Sequence, residues 1–148
     1  MQYDINAIKK ILPHRYPILL VDRVTDLVIN QSITAYKNIT ASEPVFEGHF
    51  PDQPIYPGVY MIEGMAQAGG LLAFESHASE QVNMHGKIVY FMSIDKAKFR
   101  VPVTPGDRLE YRVNVTRKRG QIWQFDAKAY VDDKLVAEAE LKAMVADK

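Results

Sequence analysis

Two side chains that can exchange protons, His49 and Glu63, lie 63 − 49 = 14 residues apart around a proline-rich loop. Glu63 and Gln67 are the only strongly polar side chains between Val59 and about Phe74. A carboxylate in an apolar setting is costly unless it is paired, protonated or used chemically. Burial would favour its protonated form, which is the condition for a general acid. A lone carboxylate on a helix is as readily an interface residue that backbone donors satisfy.

The loop before Glu63 supplies the other groups that acid–base chemistry needs. A lone loop histidine is more often a surface or turn residue than a catalyst, so His49 alone indicates little. However, Pro57 and Gly58 open the apolar run, and the free N–H groups of Gly58 and Val59 would point out of the start of a helix. The helix dipole there favours developing negative charge. A base, an acid and a pair of oxyanion donors thus occur in one short segment.

Composition limits the classes of function. The chain has 148 residues, 47% hydrophobic and 24% charged, which predicts one soluble domain over residues 1–148. Its 18 basic and 18 acidic residues cancel, which argues against nucleic acid or an anionic membrane as the main partner. The absence of cysteine excludes disulfides, thiolate zinc sites and cysteine nucleophiles. The first residues do not resemble a signal peptide, and we expect a cytoplasmic protein.

The first half of the chain predicts a short helix, two strands and a buried helix. Asp4 can cap a helix that Pro13 would end. The stretches PILLVDRVT (17–25) and SITAYKNIT (32–40) are typical of strands, with a turn at residues 30–31. A segment that is apolar nearly all round, as residues 59–74 are, belongs inside a protein. Three glycines, each about 1 kcal/mol less favourable than Ala in a helix, indicate that a sheet packs close to it: Gly64, Gly69 and Gly70.

The second half of the chain alternates apolar and polar residues. RLEYRVNVT and IWQFDAKAYV predict a hairpin that turns at Arg119–Gly120. The last segment, KLVAEAELKAMVA, is rich in helix formers, but its alternation predicts a strand. With KIVYFMSIDKAKFR these segments predict an antiparallel meander after the central helix. The expected fold class is α+β, with a long central helix wrapped by an antiparallel sheet.

Three motifs, LPHRYPILLVDRV, GHFPDQPIYPGVYMIEGMAQAGG and FRVPVTPGD, closely resemble the FabZ family of 3-hydroxyacyl-acyl-carrier-protein dehydratases. The resemblance runs almost end to end, and residues 48–67 match the family's active-site signature. It implies a hotdog fold and a homohexamer built as a trimer of dimers. It also implies that the histidine and glutamate of each site come from different subunits of a dimer.

The resemblance further implies the chemistry, a dehydration of (3R)-3-hydroxyacyl-acyl-carrier-protein to the trans-2-enoyl thioester in fatty acid and lipid A biosynthesis. His49 would take the C2 proton, and Glu63 would protonate the departing hydroxyl. The Gly58 amide, helped by Val59, would hold the thioester oxygen. No metal or cofactor is expected. Glutamate at position 63 favours the dehydratase over the related dehydratase–isomerase, which carries aspartate there, while Tyr60 and Gln53 depart from the usual pattern.

Other residues carry weaker expectations. Gln67 lies one turn beyond Glu63 and could orient it or simply pack. Because the carrier protein is acidic, basic side chains should surround the tunnel mouth. Arg117, Lys118 and Arg119 are the first candidates for docking, followed by Lys96, Lys98 and Arg100, although a charged hairpin turn is usually only solvated. Apolar residues of the later strand could line the acyl tunnel or pack in the core: Tyr90, Phe91, Met92, Ile94 and Phe99.

The remaining histidines and three other functions complete these expectations. We expect His14 to be a structural loop histidine, and His77 and His85 show no pattern of metal ligands. A hotdog thioesterase would release free thiol. A non-catalytic acyl-binding module would tolerate loss of His49, and a structural subunit would bind no ligand. The presence of both His49 and Glu63 weighs against the last two functions, because neither group is needed to fill a core.

Overall fold

A computed structural model describes residues 1–148 as two α-helices, one short 3-10 helix at Pro44–Glu47 and six β-strands. The helices are α1 (Ile5–Ile11) and α2 (Gly58–Ser79). The strands are β1 (Arg23–Val28), β2 (Ser32–Asn38), β3 (Lys87–Phe99), β4 (Arg108–Arg119), β5 (Ile122–Val131) and β6 (Lys134–Asp147). The predicted α+β class is confirmed. Neither helix combines the length and the apolar character that crossing a membrane requires.

All six strands form one antiparallel sheet in the order β1-β2-β4-β5-β6-β3. Helix α2 lies against this sheet and contacts β2 to β6, so the predicted central helix wrapped by strands is confirmed. Alternate residues of β4, β5 and β6 are buried beneath it, as their period-two pattern predicts. The strand predicted for the last segment from its alternation is also confirmed. The buried alanines of β6 lie on the face of the sheet against which α2 packs.

Two predictions about the strands were wrong in detail. The strand expected from residue 17 begins only at Arg23, because the backbone of the preceding loop bonds side chains instead: Leu20 N–H and Leu20 C=O pair with Gln67 and Tyr111. The meander holds for β4, β5 and β6, but β3 pairs with β6 at the far edge of the sheet. Alternation in sequence identifies the buried face of a strand but not its neighbour.

The close approach of helix and sheet is tightest at Gly64. A Cβ atom at this position would overlap the ring and hydroxyl of Tyr111, a fully buried residue of β4. At Gly69 it would lie 3.3 Å from the ring of Phe125, and at Gly70 no closer than 3.8 Å to any other side chain. The predicted close packing of helix and sheet is therefore confirmed at Gly64. The packing is looser at Gly69, and at Gly70 there is room for a methyl group.

The C-terminal end of α2 is fastened to the β4–β5 hairpin by a buried hydrogen bond. Trp123 Nε1–H donates to His77 Nε2 at 3.0 Å. Lys118 covers the Trp123 ring, 4.7 Å from its centroid, and forms an ion pair with Glu80 at 2.8 Å. Burial lowers the pKa of His77, and the charge of Lys118 lowers it further against a smaller opposing effect of Glu80. His77 is therefore held as a neutral acceptor.

We expect Gly64→Ala to lower the free energy of unfolding by about 3 kcal/mol, because the added methyl group overpacks the contact with Tyr111. Gly70→Ala is the matched control, and it should leave stability unchanged or raise it by up to about 1 kcal/mol through helix propensity. Urea unfolding at fixed protein concentration measures both variants. Equal stability of the two would contradict the packing described here.

The buried His77 should make stability fall in mild acid. Its pKa is lowered in the folded state, so as pH falls the unfolded chain binds this proton first. Stability that is present above the unfolded pKa of about 6.5 is then lost as pH falls through the lower folded pKa. We expect His77→Gln, whose amide oxygen can accept from Trp123, to lose less stability than wild type between about pH 7.5 and about pH 5.

His85→Gln is the control, because His85 is exposed and removing it leaves the buried pair intact. An identical loss of stability in His77→Gln, His85→Gln and wild type would show that His77 does not cause the acid sensitivity.

Candidate active site

The start of α2 presents free backbone donors. The helix begins at Gly58, as predicted, and Pro57 precedes it without a side-chain cap. The N–H groups of Tyr60 and Met61 bond the Pro57 carbonyl at 3.0 and 3.3 Å, whereas those of Gly58 and Val59 precede the first helical hydrogen bonds. Gly58 and Val59 border one cavity with His49. The structure thus brings the predicted base and the two predicted oxyanion donors together.

A backbone hydrogen bond fixes the orientation of His49. Its Nδ1 lies 2.7 Å from the carbonyl oxygen of Ile55. A carbonyl can only accept, so Nδ1 carries a hydrogen and donates it. In the neutral ring Nε2 is then the unprotonated nitrogen, free to accept a proton. The ring of Phe50 stacks on His49 with 4.2 Å between centroids and limits its rotation.

Glu63 lies on the second turn of α2, where Gln67 holds it. Gln67 Nε2 donates to Glu63 Oε1 at 2.8 Å. The same nitrogen donates to the Ile18 carbonyl at 2.7 Å, while Gln67 Oε1 accepts from Leu20 N–H at 2.8 Å. The Ile18 carbonyl can only accept and the Leu20 N–H can only donate. Together they fix the amide of Gln67 so that its nitrogen faces Glu63. Gln67 is almost fully buried, and it both packs in the core and orients the carboxyl group.

The predicted acid and base do not meet within one chain. Glu63 borders a cavity with His14, Gln67 and Phe91, while His49 borders the other one. The Glu63 side chain is 38% exposed, so the burial expected from its apolar neighbours is wrong for the isolated chain. The flanking Ile62 and Gly64 are buried, whereas Glu63 lines a cavity that the loop before β1 and strand β3 also border.

Three residues outside the predicted pair are placed as follows. His14 Nε2 lies 3.6 Å from Glu63 Oε1, a proximity that no spacing in the sequence revealed. Tyr60 borders a third cavity with Lys37 and Glu43, apart from both His49 and Glu63, and packs edge-on against Tyr56. Gln53 is exposed in the loop after His49.

The apolar residues proposed for the tunnel divide between the two cavities and the surface. Phe91 borders the Glu63 cavity, and Phe99 borders the His49 cavity. Tyr90, Met92 and Ile94 alternate along β3 and are 45%, 51% and 55% exposed. A register shift between Phe91 and Ser93 places Tyr90 and Ile94 on opposite faces of β3, so the three are exposed apolar side chains of an unpaired edge strand.

The two groups of basic residues lie at opposite ends of α2. Arg100 borders the His49 cavity, with Lys96 and Lys98 nearby on β3; Lys96 and Arg100 pair with Glu140 and Glu138 at 3.4 and 3.2 Å. Lys118 is held at the other end by Glu80, about 33 Å along the helix from Gly58 at 1.5 Å per residue.

Arg117 and Arg119 flank Lys118 and are exposed. No His, Asp or Glu side chains group in threes that could hold a metal ion.

Comparison with known proteins identifies the family of this chain. The model of the FabA-like domain matches residues 12–140. The chain is 69% identical to the 3-hydroxyacyl-acyl-carrier-protein dehydratase FabZ of Wolinella succinogenes, over 100% of this chain and 99% of that protein. The FabZ of Sulfurovum is 67% identical over 100% of both chains, and that of Campylobacter fetus is 64% identical over 98% and 99%.

Solved structures share the fold at much lower identity. The dehydratase heterocomplex ApeI:P from Xenorhabdus doucetiae matches with a TM-score of 0.80 and 17% identity, over 95% of this chain and 91% of that one. A thioesterase from Haemophilus influenzae matches with a TM-score of 0.69 and 14% identity, over 98% and 92%. These similarities support the predicted hotdog fold, while the sequence relatives distinguish between its functions. The chain therefore belongs to the FabA-like family and, within it, to the FabZ 3-hydroxyacyl-acyl-carrier-protein dehydratases.

Proposed function

We propose that this dehydratase converts (3R)-3-hydroxyacyl-acyl-carrier-protein to the trans-2-enoyl thioester with His49 of one subunit as base and Glu63 of another as acid. Membership in the FabZ family supports the reaction. The observation that carries the mechanism is the pairing, in one cavity, of His49, whose Nδ1 bonds the Ile55 carbonyl, with the free N–H groups at the start of α2.

Removal of the C2 proton is the first requirement of the reaction. His49 Nε2 accepts this proton, while Nδ1–H stays on the Ile55 carbonyl and keeps the ring in place as its charge changes. The electron pair of the broken C–H bond moves toward the thioester carbonyl. The Gly58 and Val59 N–H groups donate to that carbonyl oxygen, where a preorganised donor typically contributes a few kcal/mol to the transition state.

Departure of the 3-hydroxyl group is the second requirement. Protonated Glu63 gives its proton to this oxygen, the C3–O bond breaks, and water leaves as the C2–C3 double bond forms. Gln67 keeps the carboxyl group in one orientation because its own amide is fixed by the backbone of residues 18 and 20. A second subunit that covers Glu63 would bury it and favour the protonated form that the reaction needs.

Pairing of two subunits through β3 explains how the two halves of the site meet. Tyr90, Met92 and Ile94 are exposed on an unpaired edge strand, and an antiparallel copy of β3 would extend the sheet and cover these side chains. Val59 and Phe99, at the His49 cavity, are 69% and 52% exposed and would also be covered. The family resemblance extends this proposal to three such dimers in a hexamer.

The acyl group is delivered by an acidic carrier protein, which the basic residues near the His49 cavity are proposed to receive. Arg100 borders that cavity, and Lys96 and Lys98 precede it on β3. The alternative group at Arg117, Lys118 and Arg119 is less suitable, because Lys118 lies at the opposite end of α2 from the His49 cavity.

The reaction is tested by following the conjugated enoyl absorbance of a short 3-hydroxyacyl thioester, with free thiol assayed in parallel. We expect His49→Ala and Glu63→Gln each to lower kcat at least about 1,000-fold, since each removes one proton-transfer group. Gln53→Ala, in the same loop but exposed, is the control and should retain activity. Thiol release by wild type would favour a thioesterase, and full turnover by either variant would refute the assigned pair.

The edge pairing predicts that Ile94→Asp yields monomers with little activity. Ile94 is 55% exposed in one chain, so the substitution leaves the folded monomer intact but places a charge in the proposed interface. Light scattering after gel filtration gives the assembly state, and Gln121→Asp in the exposed β4–β5 turn is the control. A fully active Ile94→Asp monomer would show that one chain holds a complete site.

The docking proposal predicts that Lys98→Glu raises KM about tenfold for the carrier-linked substrate, since it opposes attraction of an acidic partner. The same variant should leave KM for the matching pantetheine thioester nearly unchanged. Arg117→Glu, at the far end of α2, is the matched control. A larger effect of Arg117→Glu than of Lys98→Glu would place docking at the β4–β5 turn instead.

A further inference from the structure

His14, in the loop between α1 and β1, is the nearest titratable neighbour of Glu63 in the structure. Its Nε2 lies 3.6 Å from Glu63 Oε1, and both side chains border the same cavity. This distance is longer than a hydrogen bond, but it brings the His14 ring directly beside the carboxyl group. The other charged group on this cavity is Lys87, whose Nζ is paired with Asp147 at 3.0 Å.

The surroundings of the second nitrogen indicate the form of His14. Nδ1 is buried and has no hydrogen-bond partner. An imidazolium ring would carry a hydrogen there and would bury an unpaired, charged donor. A neutral ring with its hydrogen on Nε2 leaves only an unpaired lone pair at Nδ1, which is less costly. The geometry therefore favours neutral His14 with an N–H group directed toward Glu63.

Two donors then face the same oxygen of Glu63. Gln67 Nε2–H donates to Oε1 at 2.8 Å, and His14 Nε2 approaches Oε1 as well. Oε2 receives no hydrogen bond from the protein. In a carboxylic acid the oxygen that accepts from donors is the carbonyl oxygen, and the other oxygen holds the hydrogen.

We propose that His14 is a positioning residue for the catalytic acid: with Gln67 it makes Oε1 the acceptor oxygen of Glu63, so that the transferable proton resides on Oε2. This inference rests on the proposed role of Glu63. A neutral donor suits that role, because it orients the carboxyl group in its acid form, whereas an imidazolium would stabilise the carboxylate and oppose protonation. When Glu63 gives its proton to the leaving hydroxyl, His14 keeps its own, and the balance of the reaction is unchanged.

Kinetics of three variants test this role. We expect His14→Phe, which fills the space but places no N–H group near Oε1, to lower kcat about tenfold with little change in KM. His14→Gln, whose amide can donate to Oε1, should restore most of kcat. His85→Gln, at an exposed position outside both cavities, should behave as wild type. Unchanged kcat in His14→Phe, or equal losses in the Phe and Gln variants, would overturn the proposal.

An NMR experiment keeps the proposal testable if His14→Phe fails to fold. In 15N-labelled wild type at mildly alkaline pH, the His14 ring should show hydrogen on Nε2 and a bare Nδ1. Glu63→Gln should shift the His14 nitrogens and leave those of His85 in place. A His14 ring protonated on Nδ1, or one unaffected by Glu63→Gln, would contradict the proposal. This readout needs no turnover, so it separates failure of the His14 role from failure of Glu63 as the acid.

Discussion

The arrangement of the site depends on the contact between Gly64 and Tyr111. The glycine lets α2 lie against the sheet, and Tyr111 Oη then reaches the Leu20 carbonyl at 2.9 Å. The N–H of the same residue, Leu20, holds Gln67, and Gln67 holds Glu63. One chain of hydrogen bonds thus runs from the buried sheet through a loop to the carboxyl group that we assign as the acid. Rigid packing at Gly64 thereby fixes the orientation of the Glu63 carboxyl group.

The two halves of the proposed mechanism use different properties of the same helix. The first turn of α2 offers unpaired N–H groups and a positive dipole end, which suit an oxyanion, and the neighbouring loop adds His49. The second turn offers Glu63, a partly exposed side chain that lines a cavity beside β3. Because these groups border separate cavities, one chain supplies two incomplete sites, and the apolar edge of β3 offers a surface on which a second copy can complete them.

Much of this fold followed from local patterns in the sequence. The apolar run with its glycines predicted the buried helix, and alternation predicted β4, β5 and even β6 against its helical propensity. The place of β3 in the sheet was not predictable, because pairing depends on long-range geometry rather than on periodicity. Nor could spacing show that Gln67 binds the loop at residues 18–20, that His14 approaches Glu63, or that Lys118 is held at the far end of α2.

The central claim, that each site combines His49 of one subunit with Glu63 of another, is tested most directly by mixing two inactive variants. His49→Ala and Glu63→Gln chains are co-expressed, purified together and assayed for dehydration beside each variant alone. Half of randomly assorted dimers are mixed and each restores one of two sites, so our account predicts about one quarter of wild-type activity. Activity no higher than that of the separate variants, in a sample proven to contain mixed dimers, would show that both residues act within one chain.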